Sequence, residues 1–123
     1  MEVVEKGHLY AVDGYDGAPQ SLIQFMKRVG EGYPGNEGRP HGGTNSQEVL
    51  RVLIDRVKYL NGQVPSRHNS LILSALRVAL IKFELRAAEL HGIEFPVIDQ
   101  GQPELRSTCP RCGHIVCHGH ADE

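Results

Sequence analysis

The chain has no tryptophan, few aromatics and no excess of either charge: thirteen Lys and Arg stand against fifteen Asp and Glu, a net charge of -2. A protein that grips nucleic acid along its surface normally shows a clear basic excess, so that class is not expected. A small anionic ligand stays open, since a pocket needs only two or three Arg or Lys. No apolar run approaches the roughly 18 residues of a membrane span. The opening segment, Met1-Glu2-Val3-Val4-Glu5-Lys6, lacks the apolar stretch of a secretory signal. These absences predict a soluble, cytoplasmic protein. Cysteine is scarce too, and all three copies fall between Cys109 and Cys117. An odd, clustered set without an export signal points to metal rather than disulfides. The 123 residues suit one domain with an appendage.

What is present begins with two short β-prone segments, His8 to Val12 and Leu22 to Val29. The turn-rich run Asp13-Gly14-Tyr15-Asp16-Gly17-Ala18-Pro19 separates them, which predicts a β-hairpin with a loose loop. In the second segment Ile23, Phe25 and Lys27 alternate with Leu22, Gln24 and Met26, a pattern that does not say which face is buried. A hairpin of two strands is marginal alone. A glycine-dense loop, Gly30 to Gly43, follows.

Two amphipathic helices come next. Thr44 with Gln47, or Asn45 with Glu48, has the spacing of a capping box. Val49, Leu50, Leu53, Ile54, Val57 and Leu60 recur at helical spacing, with Gln47, Arg51, Asp55 and Lys58 largely opposite. Gly62 is the expected stop. A second helix should open at Ser66, after Pro65, and end at Gly92. It carries two apolar stripes: Ile72, Leu76, Ala79, Leu80, Phe83, Ala87 and Leu90, and then Leu71, Ser74, Val78, Ile81, Leu85 and Ala88. Two stripes imply burial on two sides. The first helix covers one; the β-hairpin or a second copy of the chain covers the other. Ile93 to Thr108, with Pro96 and Pro103, has no sustained period and is expected to be an irregular linker. The fold class is therefore α+β. An N-terminal β-hairpin and Gly-rich loop (1–43) precede a long antiparallel two-helix hairpin (44–92), a linker (93–108) and a Cys/His tail (109–123).

The strongest local motif is Cys109-Pro110-Arg111-Cys112-Gly113-His114-Ile115-Val116-Cys117-His118-Gly119-His120. Cys-x-x-Cys-Gly matches the knuckle of many zinc sites, where the glycine lets backbone amides turn toward the thiolates. Cys109, Cys112, Cys117 and His120 make the best set of four, with His118 and His114 as rivals to His120. Four tetrahedral ligands form a closed, structural zinc site, and a metal would hold so small an appendage together. The bland alternative is a free-thiol tail. Two enzyme signatures fail on context. Gly30-Glu31-Gly32-Tyr33-Pro34-Gly35 fits Gly-x-Gly-x-x-Gly, but Pro34 sits inside it and no helix starts there to meet a pyrophosphate. The zinc deaminase pairing of His-x-Glu with Pro-Cys-x-x-Cys is absent. Ser70 and Ser74 lack a plausible His and Asp, so no enzyme is expected. His8, His41 and His68 are expected at the surface, and Asp55 and Arg56 as solvated charges.

The order of features resembles a known family. Ile23-x-Phe25 leads through Gly30 to Thr44-Asn45. Glu48-Val49-Leu50-x-Val52-Leu53-Ile54-Asp55-Arg56-Val57 follows, then Tyr59, Asn69, Leu76, Ala79, Leu80, Leu85 and Arg86. This resembles the phage anti-Thoeris and anti-CBASS cyclic-nucleotide sponges, over residues 23–92. The resemblance implies strands ahead of a helical hairpin, and hairpins packed into dimers up to hexamers in the host-cell cytoplasm. It implies a ligand of the cyclic nucleotide or cyclic ADP-ribose kind, held without cleavage. By position, Tyr59 would stack on a base, Asn69 would give a polar contact and Arg86 would meet phosphate. Arg28 matches a basic residue near the end of the strands, and Arg56 belongs to the matched Ile-Asp-Arg run. The cysteine tail lies outside the shared part. Pro65-Ser66-Arg67-His68 stands where the family would have Cys-Arg-Glu.

Physical length adds a constraint. Asn69 and Arg86 are seventeen residues apart on one helix, roughly 25 Å at 1.5 Å per residue. One small ligand cannot touch both from one chain, so a shared site needs Arg86 from a second, antiparallel subunit. The rival expectations are a zinc-containing module contacting a host protein or nucleic acid, and a structural virion component.

Overall fold

The computed structural model describes residues 1–28, 39–92, 94 and 101–115. The chain divides into two contact units, Met1–Asn45 and Ser46–Glu123. It has the α+β layout that the sequence predicts, with a three-stranded sheet in the first unit and two long helices in the second.

The first unit holds β1 (Glu2–Glu5), β2 (Leu9–Val12) and β3 (Ser21–Gln24), antiparallel and in the order β1-β2-β3. The expected hairpin is β2 and β3, with Tyr10 opposite Ile23 and Ala11 opposite Leu22. The β1 strand is additional. Its valines, Val3 and Val4, are both exposed, so Glu-Val-Val-Glu shows no alternation that would mark a strand. A tight turn joins β1 to β2, closed by the His8 amide donating to the Glu5 carbonyl at 2.9 Å. Gly7 supplies the left-handed φ of 79° that this turn requires. The second expected strand is shorter than Leu22 to Val29. Past Gln24 it continues only as single bridges, Phe25 with Thr44 and Lys27 with His41, as the chain runs back beside it. Gly43 makes that approach feasible, because a Cβ there would lie 2.5 Å from the Gln24 carbonyl oxygen. Tyr10 and Phe25 meet edge to face at 5.9 Å. The Gly-x-Gly-x-x-Gly run lies outside the described residues.

In the second unit, α1 (Ser46–Gln63) and α2 (Arg67–Leu90) pack as a helical hairpin. Gly62 does not stop α1. It is the last residue but one of the helix and has no left-handed φ. The stop is Val64 ahead of Pro65, since the proline ring disfavours helical backbone at the residue before it. Ser66 then caps α2 through its hydroxyl, which accepts from the His68 amide at 3.1 Å. The turn is tied by Asn61, whose Oδ1 accepts from the Ser66 amide at 3.1 Å and the Asn69 side-chain amide at 3.2 Å. Asn69 also donates to the Val64 carbonyl at 3.4 Å. At the far end Gly92 adopts φ 65° and closes α2 as anticipated. No helix among the described residues is long and apolar enough to cross a membrane.

The core of this unit is narrow. Ile54 on α1 and Leu80 on α2 are fully buried, each contributing about 1.5–3 kcal/mol through burial. Ile81 and Ala88 are buried on a neighbouring strip of α2. Neither expected stripe is buried as a whole. Leu71, Val78 and Leu85 stay exposed, as do Ile72 and Leu90. On α1 the same holds for Val52 and Tyr59, and for Leu53 and Leu60. The segment foreseen as a linker contains a 3₁₀ turn, η1 (Pro103–Leu105), which packs on α2 with Pro103 buried.

Asn61→Ala removes the acceptor of two turn hydrogen bonds. Urea denaturation should show a loss of about 1–2 kcal/mol, with α-helical circular dichroism retained in the folded baseline.

Candidate functional site

The polar chemistry of the second unit converges on Glu84 of α2. Its position follows from helical spacing: Leu80, Ile81, Glu84 and Ala88 form one buried strip, and the carboxylate takes a place that an aliphatic side chain would normally fill. Only 1% of Glu84 is exposed. Its Oε2 accepts from the Ile115 amide at 3.0 Å and lies 3.7 Å from Nδ1 of His114. Its Oε1 faces the Arg51 guanidinium at 3.6 Å, beyond hydrogen-bond reach, and neither that oxygen nor Nη2 of Arg51 has a hydrogen-bond partner. Burial pushes the Glu84 carboxyl above its ordinary range, and the Ile115 amide and Arg51 only partly offset this.

Two α1 residues complete the arrangement. Gln47, 4% exposed, meets Nδ1 of His114 at 2.7 Å. Arg51 donates to the Gly113 carbonyl at 3.5 Å while pairing with Glu48. Both were expected on the solvent side of α1. The C-terminal segment meets them instead, with Gln47 buried and Arg51 half-buried.

The segment they hold is the Cys-x-x-Cys-Gly turn. The Cys109 amide donates to the His114 carbonyl at 3.0 Å, the Gly113 amide donates to the Cys109 carbonyl at 2.8 Å, and Gly113 has φ 72°. The turn is closed, and its glycine is left-handed. Cys112 is buried and Cys109 half-buried. Cys117, His118 and His120 lie outside the described residues. Among the described residues no three His, Cys, Asp or Glu side chains come close enough together to hold a metal. A second fastening lies at η1, where Glu104 accepts from Nε and Nη2 of Arg77 at 3.0 and 2.8 Å, with Lys58 at 3.8 Å. Burial opposes ionisation of Glu104, but the Arg77 bonds prevail and hold its carboxyl below the usual range.

The residues singled out as ligand contacts sit elsewhere on the hairpin. Tyr59 is 60% exposed near the end of α1. Arg56 and Arg86 are exposed on α1 and α2. Asn69 stands at the start of α2, with its amide nitrogen engaged in the turn. Arg28 belongs to the first unit, exposed, against the Met26 sulfur at 3.9 Å. Tyr59 and Asn69 thus flank the turn, and Arg86 lies near the opposite end of α2.

The first unit has its own polar cluster. Lys27, expected only as part of an alternating strand, is buried and pairs with Glu5. That bond holds the Glu5 carboxyl below the usual range. His41 approaches Glu5 at 3.6 Å and Gln24 at 3.3 Å. His8, expected at the surface, is buried with its Nδ1 unpartnered, edge-on to His41 at 6.1 Å.

Glu84→Gln mimics the protonated carboxyl. A carboxyl whose folded pKa is raised binds its proton more tightly when folded, so stability falls as pH rises from the unfolded value, near 4.5, through the folded one. Urea unfolding of both proteins from pH 4.5 to 7.5 should show the wild type losing stability relative to the glutamine variant as pH rises. A pH-independent difference would contradict the burial argument. Compared with known proteins, the chain matches no family model, no curated protein and no solved structure.

Proposed function

We propose that this chain is an oligomeric binding protein. It sequesters a cyclic nucleotide or cyclic ADP-ribose-type ligand without converting it, at an interface between helical hairpins. The observation that carries the reading is the apolar surface left on both helices. Leu71, Val78 and Leu85 recur every seven residues along α2, with Leu71 55% and Val78 51% exposed. Leu53 and Leu60, and Val52 and Tyr59, repeat the same spacing on α1. Seven residues are close to two helical turns, so each set forms a nearly straight ridge suited to a second hairpin.

Antiparallel packing of two hairpins would carry Arg86 of one chain toward Tyr59 and Asn69 of the other. An exposed tyrosine can stack on a base, and an arginine can make charge-assisted bonds to phosphate. Arg56, on the same helix as Tyr59, adds positive charge to that end. A second reading is favoured by the closed Cys109–His114 turn: a zinc-containing module that contacts a host protein or nucleic acid, with Arg111 at the exposed edge of the knuckle.

Native mass spectrometry should report an even-numbered oligomer, and Val78→Glu should shift it to monomer. Calorimetric titration with a panel of cyclic nucleotides should find one class that binds. Tyr59→Ala and Arg86→Ala should each weaken it about tenfold or more, that is by at least about 1.4 kcal/mol. Ligand recovered after denaturation should be unchanged. A monomeric wild type, or a processed ligand, contradicts the sponge reading.

A further inference from the structure

The strip of α2 that is buried at Ile81, Glu84 and Ala88 continues toward the start of the helix with a different character. The same spacing of three and four residues, carried back from Ile81, meets Arg77, Ser74 and Ser70. One half of the strip is filled by packing, and the other is set with a guanidinium and two exposed hydroxyls. Ser74 is the one polar member of the second stripe expected on this helix. Small side chains at 70 and 74 leave a hollow where leucines would fill it. A cavity of about 300 Å³ lies there, lined by Ser70, Ser74, Arg77, Val78, Ile81 and Gly101. All six belong to the second unit.

The 3₁₀ turn η1 sets the charge of this cavity. Glu104 accepts from Nε and Nη2 of Arg77 at 3.0 and 2.8 Å, a two-point bond that fixes the plane of the guanidinium. That bond occupies one edge of the group and leaves the N–H donors of Nη1 uncommitted among the described contacts. Lys58 stands 3.8 Å from the same carboxylate. Two cations therefore share one anion, and the cluster keeps one positive charge. Each serine hydroxyl can donate or accept. Val78 and Ile81 supply the aliphatic part of the wall, and Gly101 offers only backbone.

We propose that this cavity binds a compact organic monoanion, a carboxylate or phosphodiester group that carries a short aliphatic part. The anionic group meets Nη1 of Arg77 and the hydroxyls of Ser70 and Ser74, and the aliphatic part lies against Val78 and Ile81. A single surplus charge suits a monoanion better than a dianion. The volume is at the lower bound of ligand pockets, roughly 300–1,000 Å³. At about 30 Å³ for a water-sized group it admits about ten non-hydrogen atoms. Glu104 holds the guanidinium in place before the ligand arrives, so little side-chain freedom is lost on binding. This site is complete within one chain, unlike the interface site of Tyr59, Asn69 and Arg86, and does not depend on it.

The test is a titration of the full-length, nitrogen-15-labelled protein with isovalerate, dimethyl phosphate and the neutral isovaleramide, followed by nuclear magnetic resonance. At least one of the two anions should shift the signals of Ser70, Ser74 and the Arg77 Nε–H saturably, with a Kd of about 1 mM or tighter. Isovaleramide should bind at least about tenfold more weakly than isovalerate if the carboxylate is the ligand. A response to isovalerate alone assigns a carboxylate, to dimethyl phosphate alone a phosphodiester, and to both the shared monoanion chemistry. Ser74→Leu fills the cavity and leaves the Arg77–Glu104 bond in place. It should weaken binding at least about tenfold with unchanged far-ultraviolet circular dichroism. Ser70→Leu, nearer the start of α2, should do the same and carries the test by itself if the first variant does not fold. Tyr59→Ala should leave this binding as it is, which separates it from the interface ligand. No saturable shift with either anion, an amide that binds as tightly as the acid, or wild-type affinity in a folded leucine variant overturns the proposal.

Discussion

A carboxylate with almost no contact with solvent organises the second unit. Removing an ion from water costs several kcal/mol, and attraction to a counter-ion recovers that only with good geometry. Glu84 has one strong bond, to the Ile115 amide, and a guanidinium at 3.6 Å that is not hydrogen-bonded to it. Its raised pKa expresses the shortfall. An aliphatic residue would fill this place on α2 without that cost. What the carboxylate provides is direction: it accepts from a particular amide and faces a particular imidazole, which an apolar side chain cannot do. The position of the 109–115 segment on the hairpin follows from that choice, and Glu104 with Arg77 fixes the preceding stretch in the same way.

The two ends of the helical hairpin are therefore built differently. One end is a turn secured by Asn61 and Asn69, with Tyr59 exposed beside it. The other is filled by polar residues that meet the C-terminal segment. Between them the outer surfaces of both helices carry aliphatic ridges without a covering element among the described contacts of this unit.

Much of this layout was legible from residue patterns. The 3.6-residue period located both helices, Ser66 and Gly92 bounded the second, and local β character marked His8 to Val12 and Leu22 to Val29, where the strands are Leu9–Val12 and the shorter Ser21–Gln24. The failures have specific causes. Two exposed valines between glutamates gave β1 no pattern. Gly62 carried the expected stop signal, but Pro65 imposed the stronger steric veto one residue past Val64. Gln47 and Arg51 looked like solvent-facing residues because long-range contacts with residues 113 and 114 leave no trace in local periodicity. One signal was available: Glu84 stands in helical register with Leu80, Ile81 and Ala88, and a charge inside an apolar strip implies a distant partner. Tyr59 and Arg86 were placed by resemblance, and both side chains are exposed on their helices.

The reliance of Glu84 on Ile115 bears on the order in which the chain is made. Synthesis proceeds from the N-terminus, so both helices exist in full before the amide that satisfies the carboxylate is added. Until then the nascent hairpin carries an acid, a guanidinium and an amide side chain on the strip that is later sealed. The polar strip of the hairpin is therefore sealed only after residues 113–115 have been added to the growing chain.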